Sequence, residues 1–422
     1  MAQSFRERVR AFGRTAAQKL KTGAQAQVRE ALTRRPVGRE EARLQRAMER
    51  ESRKLARGPL DLPFCLLVIL LTAIGLVMLL SASFPSAYYE DENPTYYFVK
   101  QGRFALIGIA AMLAISKINY QRLRGMARAL LVLSILLLVL VTIPGIGILS
   151  HNARRWLGAG PFRFQPSEIA KLAVILYFAD DISRKREKMR TFRQGIWPYL
   201  RIMGVIAILM MMEPHLSGTI LIVGTGGIMM LVGGIRLYWV ALAAGGAGLG
   251  AFLMIKGLIP YGQSRIAMWR NPFIDPRGDG YQLVQSLISI GSGGLWGVGL
   301  GKSRQKFLYL PEEHNDFIFA VVCEELGLIG AAMIMALFAA LILRGYWIAL
   351  HARDRFGCLL VVGVITQMAL QTFLNIGVVS GLLPTTGISL PFFSYGGTAI
   401  LIQLAEMGIV LSVSRQMRPA KK

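Results

Sequence analysis

From residue 60 onward the chain alternates long apolar runs with short polar linkers, and the run lengths decide the fold class. The runs fall at 60–83, 98–117, 126–144, 166–180, 199–213, 216–233, 236–255, 317–343, 357–379 and 390–413. A helix of roughly twenty apolar residues matches the hydrocarbon core of a bilayer. The pattern therefore predicts an all-α polytopic membrane protein with about ten transmembrane helices. Only Glu213-Pro214-His215 separates the fifth run from the sixth.

Charge gives the runs a direction. Residues 1–58 carry sixteen Lys and Arg against six Asp and Glu, and no apolar run there is long enough for a signal peptide. The tail is expected on the cytoplasmic side, where anionic lipid headgroups are its natural partner. Within it Phe5, Val9 and Phe12 recur at helical spacing among arginines. Both a surface-lying helix and a solvated basic tail fit that spacing. The linkers 117–128, 184–193 and 344–355, Arg236 and the end 416–422 are also basic, and alternation puts them inside with both termini. Glu90-Asp91-Glu92 falls outside. The expected organisation is a basic tail at 1–58, a transmembrane domain at 59–415 with a large extracytoplasmic loop at 257–316 between the seventh and eighth helices, and a short cytoplasmic end.

Two linkers break the charge rule. Linker 145–165 holds Arg154, Arg155 and Arg163, and linker 256–316 holds Lys256, Arg265, Arg270, Arg277, Lys302, Arg304 and Lys306, yet both fall on the outer side. Anionic substrate groups bound there account for them. The longer linker also contains an apolar stretch, 283–290, too short to span, which runs into the glycine-rich Gly291–Gly301 segment. Irregular backbone at membrane depth has to line a wet cavity or lie buried in protein, so a re-entrant or interfacial segment is expected.

The formal charge is +24 and hydrophobic residues make up 54% of the chain. In a soluble protein that charge would point to nucleic acid; here it concentrates in one tail and in membrane-flanking loops, and no nucleic-acid partner is expected. Gly301-Lys302-Ser303 ends like a phosphate-binding loop, but Trp296 stands where the first glycine is required. Cys65, Cys323 and Cys358 lie in or beside apolar runs without paired spacing, so they are read as packing residues. Internal repeats of the kind that build transporters are not visible.

The candidate chemistry gathers at Tyr309-Leu310-Pro311-Glu312-Glu313-His314-Asn315-Asp316-Phe317, where acids crowd the start of an apolar run. Asp316 or Asn315 there can cap the helix. Several neighbouring carboxylates can also raise one pKa toward the range a general base needs. At about 100° per residue Glu324 falls near the Asp316 face and is a candidate for the same cavity, whereas Glu325 faces away and is expected to pair with another helix. In Gln165-Pro166-Ser167-Glu168-Ile169-Ala170-Lys171, Glu168 and Lys171 form an i, i+3 pair at a helix start. Inside a membrane boundary such a pair usually faces a cavity.

Taken together these stretches resemble a known family. Asn152-Ala153-Arg154-Arg155-Trp156-Leu157, Phe164-Gln165-Pro166-Ser167-Glu168-Ile169-Ala170-Lys171, Gln285-Ser286-Leu287-Ile288-Ser289-Ile290-Gly291-Ser292-Gly293-Gly294, the 309–320 motif and Leu383-Pro384-Thr385-Thr386-Gly387-Ile388-Ser389-Leu390-Pro391-Phe392-Phe393-Ser394-Tyr395-Gly396-Gly397 occur in the order found in the SEDS family of bacterial cell-wall proteins. Over residues 60–415 the chain is more similar to the FtsW and SpoVE branches, of division and sporulation, than to the RodA branch of elongation. His215 and Thr386 depart from the family pattern, which commonly has Asp and Lys there. The resemblance implies a ten-span fold in the bacterial cytoplasmic membrane and a peptidoglycan glycosyltransferase acting on lipid II. It also implies a class B penicillin-binding protein as partner, alongside other division proteins.

By that resemblance Asp316 is the catalytic carboxylate, and general-base chemistry suits it. A departing lipid pyrophosphate calls for positive charge, for which Arg154, Arg155, Lys171, Lys302 and Lys306 are the candidates, with Arg103 a further one. Glu168, Glu312, His314 and Ser394 complete the expected substrate-binding set. No dedicated metal site is visible, although Mg or Mn bridging pyrophosphate and Glu312 is compatible with the chemistry. A lipid II transporter and a non-catalytic division scaffold stay open as alternatives.

Overall fold

The computed structural model describes residues 58–150, 153–159, 162–213, 215–255 and 263–417. The expectations for the basic tail, Asn152, Lys256 and the last five residues lie outside them.

Helices occupy all ten apolar runs. They are α1 (Leu62–Asp91), α2 (Tyr96–Ser116), α3 (Leu123–Thr142), α4 (Pro166–Lys185), α5 (Trp197–Met212), α6 (Leu216–Val232), α7 (Leu237–Ile255), α10 (Ile318–Leu350), α11 (Arg355–Val379) and α12 (Gly397–Ser414). Among the described residues seven helices are long and apolar enough to cross a membrane; α4, α6 and α7 are the runs outside that group. Capping follows the sequence. Asp61 accepts from Phe64 N–H at the start of α1 and Asp354 from Gly357 N–H at the start of α11, while Pro166 opens α4. α11 is the interior helix, with 72% of its apolar window buried against 22% for α2 at the periphery.

Two features depart from an all-helical reading. The linker after α3 folds into a small antiparallel sheet of β1 (Ile148–Ser150), β2 (Ala153–Ala159) and β3 (Phe162–Phe164), with β2 central and Leu157 opposite Phe164. Arg154-Arg155-Trp156-Leu157 is too short and too polar to register as a strand beside the long apolar runs. The last run was expected to start near 390, but α12 starts at Gly397. Pro384, Gly387, Pro391 and Gly396 keep the preceding chain irregular.

Between α7 and α10 the long linker builds α8 (Gln263–Arg270) and α9 (Tyr281–Gly293), followed by the glycine-rich loop. α10 is broken at Gly327, whose φ of 65° and ψ of −171° interrupt the helix. The loop fills the break. Leu328 and Ile329 N–H donate to Gly294 and Leu295 C=O at 2.9 and 3.2 Å, and Val298 and Gly299 N–H donate to Glu324 and Glu325 C=O at 3.0 and 3.1 Å. A Cβ on Gly297 would lie 2.2 Å from Glu325 O, so only glycine admits this approach. Backbone groups freed by the break are thus satisfied within the protein, as the hydrocarbon region requires.

Candidate active site

Asp316 stands just before α10, half-buried in the wall of a cavity of about 670 Å³. The 383–397 stretch holds it there. Asn375 Nδ2 on α11 donates to Asp316 O at 2.7 Å and to Ile388 O at 2.6 Å, lacing the two segments together. Ser394 Oγ donates to Asn315 O at 2.7 Å and accepts from Leu390 N–H at 2.7 Å, and Tyr395 N–H donates to His314 O at 2.9 Å. Gly387 has φ +72°, and a Cβ there would lie 3.3 Å from Asp316 Oδ2, so that turn passes against the carboxylate. Burial pushes Asp316 up to about 6, aided by the Glu312 carboxylate and opposed by Arg155 and His314. A carboxyl in that range is ionised at neutral pH and still basic enough to accept a proton.

Cations and acids share the cavity. Arg155 from β2, Arg163 from β3, Lys171 from α4 and Lys100 from α2 line it together with Asp316, Glu312 and Glu168. Lys171 Nζ lies 2.7 Å from Glu168 Oε1 with both side chains buried, so the i, i+3 pair is an internal one. Arg155 Nε donates to Glu213 O at 3.2 Å. Glu312 has left-handed backbone, φ +58°, and accepts from Asn315 Nδ2 at 2.6 Å, which closes the turn leading into Asp316.

Other expected residues stand elsewhere. Lys306 is buried with Nζ donating to Glu325 Oε1 at 2.9 Å, Gly301 O at 2.8 Å and Ser81 Oγ at 3.0 Å, and it does not line the cavity. Lys302 and Arg103 are exposed, and Arg154 is half-buried outside the lining. Glu324 does not reach the cavity either; it accepts from Ser303 Oγ at 2.6 Å, Ser289 Oγ at 3.0 Å and Arg304 N–H at 2.8 Å. Glu325 pairs across elements, with Lys306 of the loop and Ser81 of α1. His314 packs under the site, its ring 4.6 Å from Tyr97 and its Nδ1 3.3 Å from Glu313. Ser394 is buried with its hydroxyl committed to backbone partners, which makes it a positioning group for the Asp316 loop.

Lys100 was passed over in the sequence, while Arg163 was noted only as an outer-face cation, Gln165 only as part of a motif, and Glu213 and His215 only as a break between apolar runs and a departure from the family pattern. His215 lines the cavity with Gln165 Nε2 3.4 Å from its Nε2, and burial and the Arg155 charge push it down to about 3, so it is neutral. Glu213 beside it has both carboxylate oxygens buried without a hydrogen-bond partner among the described residues, and burial pushes it up to about 8 against the pull of Arg155. The signal was the polar Glu-Pro-His break between two apolar runs. Lys100 carried a fainter one, a cation one turn from Tyr96 and Tyr97 at a helix start. Among the described residues no cluster of three or more His, Cys, Asp or Glu side chains forms a metal site.

The chain is similar to known proteins along most of its length. Stage V sporulation protein E of Bacillus subtilis is 44% identical over 85% of the chain and 98% of that protein. A probable peptidoglycan glycosyltransferase FtsW of Geobacter metallireducens is 40% identical over 85% of the chain and 95% of its own length. Among solved structures, one described as structural coordination of polymerization and crosslinking by a peptidoglycan synthase complex superposes with TM-score 0.71 at 27% identity, covering 85% of the chain and 98% of that one. The rod shape determining protein RodA of Thermus thermophilus gives 0.63 at 27% identity, covering 86% and 98%. Residues 62–419 match the profile of the FtsW, RodA and SpoVE proteins, described as cell cycle protein, and the chain belongs to that family.

Proposed function

We propose that the protein is a peptidoglycan glycosyltransferase that polymerises lipid II into glycan strands at the outer face of the cytoplasmic membrane during cell division. The observation that carries this reading is Asp316, held at about 6 in a cavity that also presents Arg155 and Lys171. Asp316 takes the proton from the 4-hydroxyl of the acceptor sugar as that oxygen attacks the anomeric carbon of the donor. The bond to the lipid pyrophosphate breaks, and the pyrophosphate leaves as an anion that Arg155 and Lys171 receive. Neutral His215 and Gln165 beside them suit hydrogen bonding to uncharged sugar or amide groups.

The opposite ends of the helices favour an enzyme over a transporter. There Asp354 accepts from Tyr120 Oη at 2.9 Å and Gln121 Nε2 at 2.5 Å, and Asp180 holds Arg184 at 2.8 Å. Arg124 lies within 3.9 Å of Asp180 and 3.6 Å of Asp354, tying α3, α4 and α11 together at that face. On this reading both termini lie in the cytoplasm, and the partner is a class B penicillin-binding protein that crosslinks the product.

Purified Asp316→Asn, supplied with labelled lipid II in detergent, is expected to fold and to make no glycan. Normal polymerisation by that variant refutes the assignment. In sealed vesicles, leaflet exchange of labelled lipid II without polymer would identify a transporter instead.

A further inference from the structure

Two cations of the cavity, Lys100 and Arg163, are not used by the reaction above; Arg163 is exposed on β3, whereas Lys100 is half-buried among aromatic neighbours. Lys100 Nζ lies 3.4 Å from Tyr96 Oη, 5.3 Å from the centre of the Tyr96 ring and 5.9 Å from that of Tyr395. No carboxylate of the described residues pairs with it, whereas Lys171 is neutralised by Glu168. A half-buried ammonium held by neutral tyrosines gains about 0.5–2 kcal/mol from their rings, less than an anion would supply. Arg103, one turn further along α2, is exposed and does not line the cavity. So α2 directs one of its two cations into the cavity and leaves that cation without a counter-charge.

Its neighbours say which anion. Tyr395 N–H is bonded to His314 O, two residues before the base, and Tyr97 packs against both the Tyr395 and His314 rings at 4.8 and 4.6 Å. Lys100 is therefore coupled to the loop that carries Asp316, on a wall built by α2 and the 383–397 stretch. Arg155 and Lys171 come from a different wall, that of β2 and α4. Two lipid-linked substrates bring two pyrophosphates to the cavity, and the one belonging to the hydroxyl that Asp316 deprotonates is retained throughout the reaction. We infer that Lys100, set between Tyr96 and Tyr395, binds the pyrophosphate of the acceptor lipid, apart from the cations that receive the leaving group. The inference rests on the glycosyltransferase reading for the roles of donor and acceptor.

The test uses the purified full-length protein with preformed lipid-linked glycan as saturating donor and lipid II as varied acceptor. Lys100→Ala is expected to raise the acceptor KM by about tenfold or more, the size of one lost charge-assisted contact, with kcat and the donor KM within about threefold. Lys100→Arg is expected to restore the acceptor KM. An unchanged acceptor KM, or a rise in the donor KM alone, overturns the inference. Binding of lipid II to Asp316→Asn, with and without Lys100→Ala, in vesicles of neutral lipid and of phosphatidylglycerol, gives a readout independent of turnover. Loss of lipid II binding in both vesicle types supports the site; loss of phosphatidylglycerol retention with lipid II binding intact assigns Lys100 to a headgroup and overturns it. Absence of glycan from the wild type would refute the enzyme reading, while the binding measurement still decides the anion site.

Discussion

Lys306→Met separates a structural cation from a substrate ligand. The Lys306 side chain is 3% exposed and that of Glu325 0%, so the substitution leaves a carboxylate buried without its cation. Three hydrogen bonds from Nζ go with it, to Glu325, Gly301 and Ser81. Removing one partner of a buried pair typically costs about 3–5 kcal/mol, most of it the price of the abandoned charge. Glu325→Gln removes that charge and keeps acceptors for Ser81 Oγ and Ser303 N–H, so the double variant is expected to recover a large part of the loss. Thermal unfolding in detergent measures both, and the single variant should melt several degrees below the double one. Because Lys306 does not line the cavity, the KM for lipid II at a permissive temperature should stay at the wild-type value. Wild-type stability combined with a raised KM would refute the placement and return Lys306 to the substrate.

Two further outcomes bear on the base and its support. Glycan synthesis should rise with pH through about 6, since only ionised Asp316 accepts a proton; Glu312→Gln removes a neighbouring negative charge and should move the rise to lower pH, and a rise that stays in place would show that Glu312 does not face the base. Ser394→Ala strips the hydroxyl from Leu390 N–H and Asn315 O, and is expected to lower kcat and to destabilise by about 1–3 kcal/mol while leaving the lipid II KM unchanged. A raised KM with full kcat would instead make Ser394 a ligand.

The spanning architecture was legible because bilayer thickness imposes a length on apolar runs that short-range detail cannot hide. Asp316 was legible for a related reason, as an acid where apolar sequence begins. What stayed hidden depended on contacts distant in sequence. The partners of Lys306 come from α1 and from the turn of α10 just before its break, and linear spacing contains neither. Glu324 was placed near the cavity on helical phase alone, whereas the glycine-rich loop supplies Ser303 to claim it. Lys100 and Arg103 are one turn apart on α2, and composition could not say which faces inward. The sheet escaped because Arg154-Arg155-Trp156-Leu157 shows no apolar alternation.

The outer-face cations that break the charge rule do not have one explanation. Arg155, Arg163 and Lys171 line the cavity, where the proposed polyanionic substrate would account for them; Lys306 instead compensates Glu325 beside the glycine-rich loop. The second role supports the first. Val298 and Gly299 bond to the carbonyls of Glu324 and Glu325, while Ser303 and Lys306 bond to the side chains of the same two residues. One pair of acids thus anchors both ends of the loop that fills the break in α10. Without that anchoring, the first turns of α10 would lose the partners that satisfy their freed backbone, and Asp316 sits directly on those turns. The acids deeper in α10 therefore fix the position of Asp316, the base of the proposed reaction, and their cation belongs to that framework although it resembles a substrate ligand in sequence.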